Sequence, residues 1–324
     1  MSDKAYTYYA GLDIGGTKCA VLLGRVKNED GSIEVLSRDA IPTNTQNGPY
    51  AALESFDQFL APMMKAHEIA AIGISCGGPL SSKQGIIMSP PNLPGWDNVP
   101  IVSYLEQKYG VPAKLQNDAN ACAVAEWKFG AGRGTQSMAF CTMGTGFGAG
   151  LIIDGRLYAG INDLAGEVGH IRLCEQGPVG FTKRGSVEGF CSGGGIAQLG
   201  RTAALEALQG GKTVGFCDSY EALNSITAKS IGIAADAGDP CAIEVYRECG
   251  RYLGKFVSII IDLLNPEKIV IGSIFARSEH LIRASMQEVI DRECLPVSAA
   301  TCQVVPAALG EAIGDIAALS VASL

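Results

Sequence analysis

Apolar and polar positions alternate with a period of two through the first forty residues, and two short polar turns interrupt them. The pattern predicts three strands, over 8–14, 19–25 and 33–41, with Gly15-Gly16-Thr17 in the first turn and Asn28-Glu29-Asp30-Gly31 in the second. The period then lengthens to that of an amphipathic helix over 49–66. A continuous apolar run over 70–76 follows and reads as a buried strand ending at Gly77-Gly78-Pro79. A helix over 101–109, a strand over 113–116 closed by Asn117-Asp118, and a helix over 119–129 complete the series. The same order starts again at Gln136. Strands are expected over 137–142, 149–153 and 156–158, with Asp154-Gly155 as a two-residue hairpin turn. A helical region over 195–238 comes next. Asp239 then caps, and Pro240 opens, a helix to about residue 264 whose apolar stripe is Ile243, Tyr246, Cys249, Leu253, Phe256, Val257 and Ile260. A strand over 268–271, a helix over 278–292, a strand over 302–305 and a helix over 311–322 end the second pass.

The chain therefore reads as two similar α/β halves, each opening on a glycine loop and joined without a linker rich in proline, serine or charge. At 324 residues it exceeds what one core usually organises. We expect one domain over 1–117 with 306–324 and a larger one over 118–305, with a cleft between them. Hydrophobic residues make up 47% of the chain and aromatics only 7%, a composition suited to sheets covered by helices. The formal charge of −8 and the absence of any basic run argue against a nucleic-acid partner. No apolar stretch is long enough for a bilayer and no signal core opens the chain, so a cytoplasmic protein without membrane contact is expected. Eleven cysteines, none in a C-x-x-C pair, suggest small core residues rather than disulfides or a zinc knuckle.

Candidate chemistry starts at the loops. Asp13-Ile14-Gly15-Gly16-Thr17-Lys18 and Thr142-Met143-Gly144-Thr145-Gly146-Phe147-Gly148 each follow a strand. Glycines there let several backbone N–H groups converge on one anion, and two such nests suggest a clamp on a polyphosphate such as that of ATP. A dinucleotide site carries little weight because a hairpin, not a helix, follows the second loop. Gly211-Lys212-Thr213 imitates the end of a P-loop but lacks the earlier glycine and the strand. Asp13 could hold Mg²⁺ directly or through water. Thr17 and Thr145 could donate hydroxyls to phosphate. Lys18 should alternate to the face opposite Thr17. Asp118, at a strand end, is the candidate base for a hydroxyl acceptor, with Asn117 beside it, although the pair would serve equally as a helix N-cap. Glu167, His170 and Glu188 supply further polar groups of the kind a polyhydroxyl ligand needs.

The motifs named so far, with Gly73-Ile74-Ser75-Cys76-Gly77-Gly78-Pro79, Asn92-Leu93-Pro94-Gly95-Trp96, Gly166-Glu167-Val168-Gly169-His170-Ile171 and Ile269-Val270-Ile271-Gly272-Ser273, resemble the ROK family of sugar kinases and repressors within the actin-like ATPase superfamily. The resemblance covers essentially the whole chain. It implies a two-domain ribonuclease-H-like fold and ATP across the cleft. The implied reaction phosphorylates a hexose, glucose first, on its 6-hydroxyl, with an N-acetylhexosamine kinase or a non-catalytic sugar sensor as alternatives. By that resemblance Asp118 is the base. Asn117, Glu167, His170 and Glu188 contact sugar, with backbone contacts from Gly78. Asp13, Gly15, Gly16, Thr17, Lys18, Gly144, Thr145, Gly146 and Gly272 bind nucleotide, and the protein is a homodimer. One departure stands out: the cysteines of the family's zinc motif are here Val179, Phe181 and Ser186, so no structural zinc is expected. The loop before Glu188 then has to be held by packing, with Phe181 as the candidate.

Overall fold

The computed structural model describes residues 5–324. The first pass forms β1 (Tyr6–Ile14), β2 (Lys18–Lys27), β3 (Ile33–Pro42), α1 (Gly48–Ala66), β4 (Ile69–Cys76), a small hairpin of β5 (Leu80–Ser81) and β6 (Ile86–Ile87), α2 (Ile101–Tyr109), β7 (Ala113–Asn117) and α3 (Asp118–Phe129). The second forms β8 (Met138–Met143), β9 (Phe147–Ile153), β10 (Arg156–Tyr158), the short pair β11 (Val179–Gly180) and β12 (Lys183–Arg184), α4 (Val187–Cys191), α5 (Gly193–Gln209), α6 (Ala228–Asp236) and α7 (Pro240–Leu264). It ends with β13 (Lys268–Ile271), α8 (Ile274–Glu293), α9 (Pro296–Thr301), β14 (Gln303–Pro306) and α10 (Ile313–Ala322).

The first sheet is ordered β3-β2-β1-β4-β7, with β1, β2 and β3 antiparallel and β4 and β7 parallel to β1. The second repeats that plan as β10-β9-β8-β13-β14, with β13 parallel to β8 and to β14. Two sheets of one order bear out the reading of two similar halves and the ribonuclease-H-like expectation. The chain groups into two compact units. One takes in residues to Gly134, Gly150–Ala165 and Ala308–Leu324, and the other Thr135–Ala149 and Gly166–Ala307.

In the first unit, alternation along β2 sends Val21 and Leu23 to one face, where Leu53, Phe56 and Leu60 of α1 and Leu105 of α2 cover them. Ala20 and Leu22 go to the other face, under Ala318 and Leu319 of α10. That helix sits very close to the sheet. A Cβ on Gly73 of β4 would fall 2.0 Å from the Ala318 carbonyl oxygen, so only glycine allows the approach. The helix α3, which the sequence reading gave to the larger domain, packs its Ala121 and Ala125 on Ile316, Ala317 and Val321 of α10. Glu126 of α3 is fully buried and accepts backbone N–H bonds from Ala131, Ala308 and Leu309 at 2.7, 3.2 and 2.9 Å.

In the second unit the expected stripe of α7 is buried from Tyr246 to Ile260. Gly250 and Gly254 of α7 lie against Ser285 and Met286 of α8. Two expectations need correction. The helical region over 195–238 is broken, because α5 ends at Gly210-Gly211, with Gly211 at φ 73°, and α6 restarts from a Thr227/Ser230 capping box. The last long helix begins at Ile274 rather than Ser278, which marks a kink inside α8 at φ −122°. Most cysteines are buried and all are free, as small core residues should be. Among the described residues no helix is long and apolar enough to cross a membrane.

Candidate active site

The first glycine loop is braced from two sides. Thr43 donates its hydroxyl to the Gly15 carbonyl at 2.6 Å and its N–H to the Thr17 carbonyl at 3.1 Å. A Cβ on Gly16 would lie 2.4 Å from the Asn92 carbonyl oxygen, while the Asn92 side chain lies against Gly77. Asn92 therefore wedges between the loop and the Gly77-Gly78-Pro79 segment, where Gly78 faces open space. Thr17 and Lys18 are exposed. Beside the loop, burial pushes the Asp13 carboxyl up to about 6, and the negative charges of Asp315 and Asp118 push it further in the same direction against Arg38 and Lys18. Asp315 is held by Arg38 Nε at 2.9 Å.

Asp118 opens α3. Asn117 caps the helix, its side-chain oxygen accepting the Asn120 N–H at 2.8 Å, so the N-cap role is real and leaves its amide nitrogen to donate elsewhere. Asp118 accepts the Ala119 N–H at 2.8 Å. Its carboxylate is open to solvent, yet enough protein surrounds it that desolvation raises its pKa, with the Ala119 and Asp118 N–H groups pulling the other way. In this unit Asp13, Lys18 and Asp118 thus share one electrostatic neighbourhood, and Asp315 joins them. Among the described residues no group of three or more His, Cys, Asp or Glu side chains is placed to hold a metal ion.

In the second unit the loop Gly144-Thr145-Gly146 is closed by a Gly144 N–H to Gly146 carbonyl bond of 3.1 Å. The Gly144 carbonyl accepts the Gly193 N–H at 2.8 Å, which brings the start of α5 against the loop. A Cβ on Gly144 would lie 3.9 Å from the Ser273 hydroxyl, so the Gly272-Ser273 turn after β13 joins the same place. Glu188 reaches the other side. Its carboxylate accepts the Phe147 N–H at 3.1 Å and abuts Gly146. Glu167 and His170 bound a single helical turn, Val168–His170, whose Gly169 packs on the Phe147 carbonyl and beside the Glu188 side chain. The structure thus brings Gly144, Thr145, Gly146 and Gly272 together, and sets Glu167, His170 and Glu188 around the far side of the loop.

Phe181 does not hold the loop before Glu188. It is 71% exposed, at φ 37°, and touches only the edge of the His170 ring among aromatic neighbours. Buried Phe190 holds it instead, stacked on Tyr252 at 3.4 Å and filling the space beside Gly177. Ser186, at one of the family's cysteine positions, is fully buried and caps α4. The residues that sequence reasoning did not assign are Asp315, Asn92 and the Gly193-Gly194 start of α5. The glycine cluster before α5 carried a signal for the last, and a lone aspartate in a C-terminal apolar helix carried none.

A ROK family model matches residues 9–323. The glucokinase of Halalkalibacterium halodurans is 31% identical over 323 residues, covering 98% of this chain and 94% of that protein. The N-acetylmannosamine kinase of Citrobacter koseri is 32% identical over 265 residues, 81% of each chain. A ROK family glucokinase from Streptomyces griseus, solved with glucose and AMPPNP, superposes with a TM-score of 0.70 at 29% identity over 98% of this chain and 99% of that one. The paired sheets, the two glycine loops and these matches agree: the chain has the α/β fold of the actin-like ATPases and belongs to the ROK family.

Proposed function

We propose that the protein transfers the γ-phosphoryl group of ATP to the 6-hydroxyl of a hexose, with glucose the first candidate. The observation that carries this reading is Asp118. It stands at the first turn of α3, solvent-accessible, with a raised pKa, in the same unit as the first glycine loop. A carboxylate of raised pKa is a better general base near neutral pH, and the transferred group needs positioning and charge stabilisation more than covalent help. Asp118 accepts the hydroxyl proton while Asn117, Glu167, His170 and Glu188 pair the other sugar hydroxyls. The backbone amides of Gly15, Gly16, Gly144 and Gly146 and the hydroxyls of Thr17 and Thr145 hold the phosphates, with Gly272 beside the nucleotide. Bound Mg²⁺ would neutralise phosphate charge, with Asp13 as its protein ligand, directly or through water. Similarity to glucokinases over nearly the full length supports the substrate class. Similarity to an N-acetylmannosamine kinase keeps N-acetylhexosamines as the second reading.

The test incubates the protein with Mg-ATP and a panel of hexoses and N-acetylhexosamines, reads ADP, and locates the phosphate by NMR. ADP formed with glucose, and phosphate on carbon 6, is the expected result. Turnover only with an N-acetylhexosamine would move the substrate, and sugar binding without turnover would favour a sensor. We further propose a cytoplasmic homodimer, which light scattering on the purified protein checks.

A further inference from the structure

The hydroxyl of Ser186 is fully buried and uses both of its capacities. It accepts the Gly189 N–H at 3.1 Å, capping α4, and donates to the Lys183 carbonyl at 3.1 Å. Lys183 in turn donates its ammonium to the His170 carbonyl at 2.7 Å. The next residue, Val187, donates its N–H to the Ile171 carbonyl at 2.9 Å. Two positions past the cap, Glu188 sends its carboxylate to the Phe147 N–H. One hydroxyl therefore stands between the turn that carries Glu167 and His170 and the helix that carries Glu188. The helix α4 has only five residues, too few to keep its own axis without an end constraint.

We infer that Ser186 is a positioning residue that fixes Glu188 against the second glycine loop and keeps it in one frame with His170. The inference deepens the proposed sugar-kinase reading and rests on it for its functional consequence. Ser186 touches no substrate. Alanine at this position strands the buried Gly189 N–H and takes a donor from the half-buried Lys183 carbonyl. The first turn of α4 then loosens, the Glu188 carboxylate leaves the Phe147 N–H, and the sugar side loses one fixed acceptor while the phosphate-binding backbone stays.

Two readouts test this on the full-length protein. Amide exchange without ligands follows the Phe147 N–H, and steady-state kinetics follow glucose. Ser186→Ala should speed exchange at Phe147 by at least about tenfold and raise the glucose KM about tenfold, with kcat within about threefold. Ser186→Thr, which keeps an acceptor at the cap, should restore both. Thr227→Ala is the control. It removes a comparable cap, where the Thr227 hydroxyl accepts the Ser230 N–H at 3.0 Å, and should leave both readouts unmoved. Unchanged Phe147 exchange in Ser186→Ala, or an equal effect from Thr227→Ala, overturns the inference. Faster exchange in a protein that phosphorylates no sugar would sink the kinase reading and leave the positioning role standing.

Discussion

Replacing Glu126 with glutamine changes one atom and removes a charge, yet we expect it to be among the most damaging single substitutions in the first unit. The carboxylate is fully buried and serves three backbone donors: Oε2 takes the N–H groups of Ala131 and Ala308, and Oε1 takes that of Leu309. It thereby ties the end of α3 to the segment that feeds α10. A glutamine can keep its single oxygen toward two of those donors, but its NH₂ must then face the third. One charge-assisted bond of about 1.5–3 kcal/mol is lost and a part-buried N–H loses its acceptor, while the two remaining bonds weaken to neutral strength. The expected cost is about 2–4 kcal/mol, and Glu126→Ala, which removes the acceptor of all three bonds, should cost about 4–5 kcal/mol. Both tryptophans, Trp96 and Trp127, lie in this unit, so tryptophan fluorescence during urea unfolding reports on it specifically. A drop in the midpoint at unchanged slope gives the loss directly. A glutamine variant within about 1 kcal/mol of wild type would refute the reasoning, since it would mean that the three bonds contribute nothing net.

Four further outcomes are expected. Asp118→Asn should lower turnover by about 10² or more while sugar affinity measured by calorimetry stays within about tenfold. In the wild type, kcat should fall as pH drops through the raised Asp118 pKa, on a limb lying above the ordinary carboxylate range; a flat acid profile removes Asp118 as the base. Asp13→Asn should stabilise the ligand-free protein at neutral pH while weakening Mg-ATP use. Folded Asp13 titrates at about 6 against an ordinary 3.8, so its contribution is fully present below 3.8 and is lost as pH rises through about 6. The effect should be about 1–2 kcal/mol after allowance for its partial exposure, and an asparagine variant that is no more stable at pH 7 than at pH 4, relative to wild type, refutes it. Gly16→Ala should raise the ATP KM at least about tenfold, because the new methyl meets the Asn92 carbonyl; an unchanged KM would mean the loop does not depend on that contact.

What could be read from the chain, and what could not, divides along the range of the interactions involved. Strand alternation from Tyr8 to Ile41 is decided by neighbours two residues apart, and β1 to β3 form with ends displaced by no more than two residues. The cap at Asn117 and the Asp154-Gly155 turn are likewise local, and both appear. Asp315 gave no local sign. It follows Asp13 by some three hundred positions, and only the seating of α10 on glycines of β1, β2 and β4 brings the two carboxylates near each other. The burial of Glu126 had no local sign either, since a glutamate in a helix of alanines is ordinarily solvated, and it follows from a turn and a connection that come together only in three dimensions. The sequence expects Phe181 to pack the loop before Glu188. A backbone φ of 37° turns it outward, and Phe190, nine residues on, takes the packing because Gly177 leaves room for its ring. Periodicity thus located the strand that carries Asp13, the strand that leads into Asp118 and the strands before both glycine loops, whereas the groups that hold those loops in shape, Asn92, Thr43 and Ser186, are polar residues outside any period. The hydrogen bonds of Thr43 and Ser186 and the close approach of Asn92 to Gly16 and Gly77 come only with the fold, so the positions that tune such a site are the ones that a pattern of apolar residues cannot reveal.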